Sequence, residues 1–421
     1  MTTAFTTPIW LESLRARGQS RFAETGLPTQ RVEAWKYTGL NKLKLMGLTP
    51  GAPSSLRTEG AAPLIDGKAH RLTFVDGHFD AVQSDIGELP DGVILGSLSQ
   101  LIQRDPDMIE RLLGHVADME RRPMVALNSA WIEDGLVLIV PRGVALDTPI
   151  EVTHITTDDA AGAVYPRHLI DLGDLAEAVL IERHSGGASG GFANAVAEIT
   201  LGGGANLRHY VLRAESSATI GVETVVATIG RDSQYRSFAL TVGGGIVRRE
   251  IEVALSAPGA GCHVDGAYLI DGDRHADTTI LMDHQAPHCS SRQTQKGVVD
   301  DRGHAVFQGK ILVRPDAQKT DGYQLSQTIL LSPNAEIDVK PELEIYADDV
   351  KCSHGATSGK LDADALFFLR ARGIPQAEAR ALLIEGFIGG AIDEIDHIAV
   401  RDAFKASAAH WLAERISRKD A

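Results

Sequence analysis

The sequence predicts a mainly β protein, a solenoid held between helical ends, on three observations. From about Trp131 onward the chain breaks into short strand-like runs, among them "GLVLIV", "PIEVTHI", "AVLIERHS", "AVAEITL" and "LRHYVL", separated by Gly, Pro, Asp and Asn. The separators settle into a rhythm, at Gly230, Gly244, Pro258, Gly272, Pro287, Asp301 and Pro315, roughly every 14 residues. Some runs also resemble one another at about twice that spacing. "NLRHYVL" from Asn206 matches "QYRSFAL" from Gln234 in texture, and "HVDGAYL" from His263 follows at nearly the same interval. A stacked solenoid explains this, because each coil buries its inward residues only against its neighbours. A large sandwich supplies many short strands but does not require the period.

Each end then reads as helical. Thr7 and Pro8 open a helix with a hydroxyl cap and a proline at its first position, and it runs through "IWLESLRARGQSRFAE" to a stop near Gly26. "QRVEAWKYTGLNKL" carries bulky residues in an irregular segment, followed by a strand at "HRLTFVDG" and a helix at "DMIERLLGHVADME". Beyond the solenoid, "LDADALFFLRARG" has an acidic first turn, arginines in its last turn and Gly373 as a stop. Pro375 opens "PQAEARALLIEGFI", which Gly389-Gly390 interrupts, and "VRDAFKASAAHWLAERISRK" closes the chain. Three units are expected: a helical and mixed region over 1–130, a β-helix core over 131–358 and a helical domain over 359–421.

Bulk properties exclude several roles. At 421 residues the chain exceeds the size at which one compact core keeps growing. Its net charge of −15 disfavours nucleic acid and anionic membrane surfaces, both of which call for basic patches. The N-terminus lacks the basic and apolar regions of a signal peptide, and no apolar run approaches the roughly 20 residues that span a bilayer. Cytoplasmic location and reduced thiols are therefore expected. Three cysteines, Cys262, Cys289 and Cys352, are too few for a disulfide framework and exclude a closed four-thiolate site within one chain.

The sequence has no G-x-x-x-x-G-K-[ST] loop, so no nucleotide is expected to bind by that route, and no H-E-x-x-H zinc motif occurs. "LGGGANL" lies among strands and reads as a solenoid turn. "VVDDRGHAV" brings Asp300, Asp301, Arg302 and His304 to one turn, where carboxylates and an arginine could serve a β-helix enzyme acting on carbohydrate; a solvated charged turn is the simpler reading. His263, His275, His284, His288 and His304 fall near Cys262 and Cys289, which are 27 residues apart, close to one coil. The cysteines are expected as small hydrophobes on an inward ladder and the histidines on turns. In "DDVKCSHGATSG", residues i and i+2 of a strand share a face, so Cys352 and His354 point the same way ahead of a glycine-rich turn. The pair is either half of a metal site, completed at a terminal rung by a second subunit, or a buried cysteine beside a hydrogen-bonded histidine.

The stretch "PELEIYADDVKCSHGATSGKLDADALFFLRARGIPQAEARALLIEGF" closely resembles the C-terminal signature of the SufB/SufD family of the Suf iron–sulfur cluster assembly system. "LPTQRVEAWKYTGL" is similar to that family's N-terminal element, and "GHAVFQGKILVRPDAQKTDGYQLSQTILLSPNAEIDVKPELEI" fits its last rungs. "KCSHGAT" has the form of the SufD branch; the SufB branch reads C-x-H-E-A-T. The resemblance implies a right-handed parallel β-helix and a non-catalytic scaffold subunit, cytoplasmic, paired with a SufB paralogue or as a homodimer when isolated. It implies that His354, with Cys352, contributes to a transient iron–sulfur cluster or iron shared with SufB. It also implies a SufC ATPase docked on the C-terminal helices, where Leu383, Ile384 and Phe387 offer an apolar face. The alternatives are a homodimeric metal-binding scaffold acting without SufB and the carbohydrate enzyme above.

Overall fold

A computed structural model describes residues 7–43, 47–51, 62–158 and 162–420, the side chains of 416–420 excepted. Successive strands alternate between two facing sheets, so that one coil consists of two strands. The first sheet starts with the hairpin of His78–Phe79 on His70–Val75 and continues through Ile150–Thr156, Glu177–Gly186, Asn206–Glu215, Gln234–Thr241, Gly261–Ile270, Ser290–Val299 and Asp321–Leu330 to Lys351–Gly359. The second starts at Ile94–Ser97 and continues through Leu136–Val140, Arg167–Leu172, Gly191–Leu201, Thr219–Ile229, Ile246–Leu255, His275–His284 and His304–Val313 to Glu336–Ile345. Among the described strands, only the first pair of each sheet is antiparallel. The protein is thus mainly β, a parallel solenoid with helices at both ends of the chain.

Register confirms the rhythm. Asn206 lies opposite Gln234, Gln234 opposite Gly261, Gly261 opposite Ser290, Ser290 opposite Asp321 and Asp321 opposite Lys351. The textural match at His263 is displaced by two residues, since His263 lies opposite Arg236. Inside, equivalent positions stack as ladders: Val140, Leu172, Leu201, Ile229, Leu255, His284 and Val313 follow one another rung by rung. Central strands such as Gly191–Leu201 and Thr219–Ile229 are covered on both faces, which is why those runs are largely apolar. Tyr268 and Gly297 show how tightly the rungs fit. A Cβ at Gly297 would run into the Tyr268 ring, which spans that rung to bond Thr328 at 2.7 Å.

The outer faces are closed by helices. Ile9–Thr25 and Pro123–Trp131 pack over Leu169, Val196 and Val226 of the second sheet. Pro8 occupies the cap position itself and no side chain caps this helix, one residue off the expected start. Gln376–Ile392 and Ile398–Asp420 cover Ile181, Leu212, Leu240, Leu269 and Val298 of the first sheet with Ile384, Ile388, Phe404 and Trp411. No helix among the described residues is long and apolar enough to cross a membrane. The "VEAWKYT" element is a clasp across four rungs. Trp35 is buried beneath the Arg248 guanidinium, 3.9 Å from its ring centroid. The Ala34 carbonyl accepts from Arg248 and Gln308, Thr38 bonds His275 and Asp277, and Glu33 pairs with Lys340.

Three sequence expectations fail for tertiary reasons. Helix over "DMIERLLGHVADME" stops at Glu110, within Pro106–Glu110. The Glu198 carboxylate draws in the N–H groups of Gly114, Val116 and Ala117, which a continuing helix would have spent on its own carbonyls. Gly389-Gly390 does not interrupt Gln376–Ile392, which runs through both glycines with Ile388 and Ile392 on either side buried against the solenoid. The glycines after His354 form no turn, because Lys351–Gly359 is strand throughout and helix resumes only at Ala363.

Candidate functional site

Cys352 and His354 lie on Lys351–Gly359, the last strand of the first sheet. Register puts them on the inward face: Cys352 continues the ladder Tyr235, Cys262, Ser291, Gly322, and His354 lies opposite the fully buried Gln324. With no further coil above, the inward face of this rung opens to solvent. Cys352 is half-buried and His354 exposed.

Below them the solenoid interior turns polar. Earlier rungs give these columns a mixture, Leu180, His209, Ser237 and Val264 in one and Leu207, Tyr235 and Cys262 in the next, whereas Ser291, Gln293 and Gln295, then Gln324, Ser326 and Thr328, line the last ones. The amides of Gln293 and Gln324 and the Ser326 hydroxyl are buried without a partner among the described residues. Such groups are expensive to bury unless water or a ligand answers them, so the end of the solenoid is built as a polar mouth. Val339 and Leu343 pack against the opposite, apolar wall. The signal for this mouth lay in "SSRQTQKG" and "DGYQLSQT", where glutamine and serine recur at alternate positions. It could not be read without the register that turns those positions inward.

The three thiols separate by environment. Burial, helped by the Asp321 charge, pushes the Cys352 thiol up, so a ligand that needs the thiolate must displace a proton. Cys262 is fully buried on the same ladder three rungs below, its thiol raised well above the ordinary range by burial and then by Asp265. Cys289 is not its rung neighbour. It lies in the turn before Ser290, stacked on Ala260, with its thiol directed at the Ala257 carbonyl at 3.3 Å. Both are packing residues.

The remaining predicted residues are dispersed. His275 and His304 touch, with ring centroids 4.7 Å apart, on the face that the clasp covers. His284 is interior and bonds Ser291 at 2.9 Å, His288 sits on a turn, and His263 faces the C-terminal helices' side of the first sheet. Asp301 and Arg302 lie on a surface turn, Arg302 paired with Asp273 at 2.7 Å, whereas Asp300 is buried against Arg415 of the last helix. Of the helix residues, Ile384 is buried against the solenoid and Leu383 and Phe387 are partly so, Phe387 beneath Lys296. The exposed apolar side chains nearby are Phe367, Phe368 and Leu382.

Comparison with known proteins agrees with this architecture. The profile described as "SUF system FeS cluster assembly, SufBD core domain" matches residues 154–387, and "SufBD protein N-terminal region" matches residues 66–152. The chain is 32% identical to an iron–sulfur cluster assembly SufBD family protein of Synechocystis, over 88% of this chain and 84% of that protein. It is also 32% identical to the iron–sulfur cluster assembly protein SufD of Escherichia coli, over 86% of this chain and 84% of the relative, and 27% identical to the chloroplastic protein ABCI7 of Arabidopsis thaliana over 93% and 84%. On the extent of these matches, the chain belongs to the SufBD family of the Suf iron–sulfur cluster assembly system.

Proposed function

We propose that the protein is a non-catalytic scaffold subunit that helps to build a transient iron–sulfur cluster where its last rung meets a SufB-type paralogue. One observation carries the reading. The solenoid is closed at its start by antiparallel strands but open at its end, where two unpaired strand edges surround a polar mouth bearing Cys352 and His354. An open parallel edge is a template for another chain's strand, and a second solenoid of the same rise suits it. A pair of donors at such a junction lacks the ligands to hold a cluster alone and gains them from the partner. Shared ligation suits a cargo that must later leave. His354, exposed at the mouth, is the ligand or iron-handling group, and Cys352 supports it.

Nucleotide chemistry in this reading belongs to a SufC-type ATPase seated on the C-terminal helices. The seat is the groove of about 480 Å³ between Gln376–Ile392 and Ile398–Asp420, rimmed by Leu382 and Leu412. In isolation the same open edges support a homodimer. The pairing of Arg302 with Asp273 and the burial of Asp300 against Arg415 support reading "VVDDRGHAV" as a structural charged turn, and alanine at Asp301 and Arg302 is expected to leave assembly function intact.

The decisive experiment is anaerobic cluster reconstitution on the chain co-purified with its SufB-type and SufC-type partners, wild type against His354→Ala. Absorbance and Mössbauer spectra report cluster content, and size exclusion reports complex integrity. Loss of the cluster from an intact mutant complex is expected. Unchanged cluster content and transfer would remove His354 from the site and leave partner docking as this subunit's role.

A further inference from the structure

A second constellation lies far from the open rung, inside the first coils. Glu182 and His184 of Glu177–Gly186, His154 of Ile150–Thr156 and His168 of Arg167–Leu172 converge there. His154 lies opposite His184 on the neighbouring rung, and their rings stack with centroids 4.6 Å apart and planes 13° apart. Glu182 Oε1 is engaged by His209 Nε2 at 2.9 Å. Its other oxygen, Oε2, faces His184 Nε2 at 3.6 Å and His154 Nε2 at 3.8 Å. Neither is a hydrogen bond, and both nitrogens are buried without a partner among the described residues.

The two Glu182–His separations suit an intervening ion, onto which the stacked rings converge by turning about their Cβ–Cγ bonds. Two ligands bound to one tetrahedral zinc-like centre at about 2.0–2.1 Å stand roughly 3.3–3.5 Å apart, slightly closer than these pairs now are. A cavity of about 30 Å³ adjoins them, bordered by Phe74, Thr156, Val164 and Ala195, and both imidazoles keep about a tenth of their surface exposed, which supplies an entry path. Charge points the same way. The buried carboxylates here are Glu182, Glu215 and Glu223, against two guanidiniums, Arg213 with Glu215 at 2.5 Å and Arg249 with Glu223 at 2.5 Å. One negative charge, on Glu182, has no guanidinium of its own, and a buried charge needs an answer.

His168 plays a different part. Its ligand atom comes within 4.8 Å of those of His154 and Glu182, but its Nδ1 accepts the Leu136 N–H at 2.9 Å. That bond places the ring proton on Nε2, making His168 a donor into the site. We propose that Glu182, His154 and His184 bind a divalent transition cation of the zinc or ferrous class, with His168 donating a hydrogen bond to a water on the ion. Two imidazoles and one carboxylate with an open position are a donor set for that class. The ion ties two rungs of the first sheet and stabilises the folded state alone, since the unfolded chain has no such site.

The test uses the full chain, stripped with chelator, in a background of Cys352→Ser, His354→Ala and His304→Ala that removes the donors near the end of the solenoid. Titration with Co²⁺ is expected to give one bound ion per chain, with visible d–d bands and a rise in Tm. Adding His154→Ala and His184→Ala, with folding checked by circular dichroism, is expected to abolish both. Unchanged binding in that variant, or none in the background chain, would overturn the site and leave a proton shared between Glu182 and its histidines. Should the variant fail to fold, X-ray absorption of the cobalt-loaded background chain decides: two imidazoles and no sulfur are expected, whereas one imidazole or a sulfur scatterer overturns the assignment.

Discussion

At the residue scale, Asp265 is a carboxylate in an unfavourable place. It lies partly buried in a cleft between the first sheet and Gln376–Ile392, accepting the Thr294 N–H at 2.7 Å, with Glu394 and Arg292 nearby. Burial raises its pKa to about 6, the Thr294 bonds pulling the other way and Glu394 adding to the rise. An acid whose folded pKa lies above its unfolded value binds more protons when folded between the two. Stability therefore falls as pH rises from about 4 to about 6, and the loss is complete above that window. Asp265→Asn keeps the Thr294 bond and removes the charge. It is expected to raise stability by about 2 kcal/mol near neutral pH and by nothing near pH 4. Urea midpoints across that range check both the gain and its disappearance.

At the scale of elements, the decisive interactions are charged groups that draw distant backbone together. Glu198 on Gly191–Leu201 pairs with the fully buried Arg167 at 2.6 Å and takes three N–H groups from the segment after Pro106–Glu110. Burial pushes its pKa up, but Arg167 and those N–H groups more than offset this and hold it below the usual range. Removing one partner leaves a buried guanidinium bonded, among the described residues, to Asn128 alone. Glu198→Ala is expected to cost about 3–5 kcal/mol, read as a lowered denaturant midpoint, with hydrogen exchange over 111–117 rising to match. Exchange unchanged in that segment would mean that other contacts shape it. The clasp works on the same terms, since Trp35, Thr38 and Ala34 bind rungs more than 200 residues away.

For the whole molecule, the proposed function rests on the unequal ends. Antiparallel strands stop the stack at its start, whereas Lys351–Gly359 and Glu336–Ile345 present free edges at its finish. Because the Lys351 N–H reaches Thr320 on the inner side, alternation turns the N–H groups of Cys352, His354 and Ala356 toward the outer edge. Ala356→Pro removes an outward donor, which a proline on an edge strand tolerates. The variant is expected to keep the thermal stability of the isolated chain and to lose at least tenfold in affinity for a SufB-type partner, measured by calorimetric titration. Unchanged affinity would place the junction elsewhere.

Sequence alone determined what local chemistry dictates. Apolar runs and turn residues at a steady interval are legible because a solenoid repeats one structural problem, and the end-rung pair Cys352 and His354 was visible because a strand's alternation is strict. What it left undecided depended on register and on contacts across hundreds of residues. A one-residue change in coil length decides which side chains face inward, so neither the polar mouth below His354 nor the convergence of His154, His184 and Glu182 has a local signature. Helix propensity likewise could not foresee that Glu198 would capture the backbone after Glu110, or that a helix anchored by Ile388 and Ile392 would run through a glycine pair. Only the stacked structure decided these, because burial and charge pairing are properties of neighbours in space.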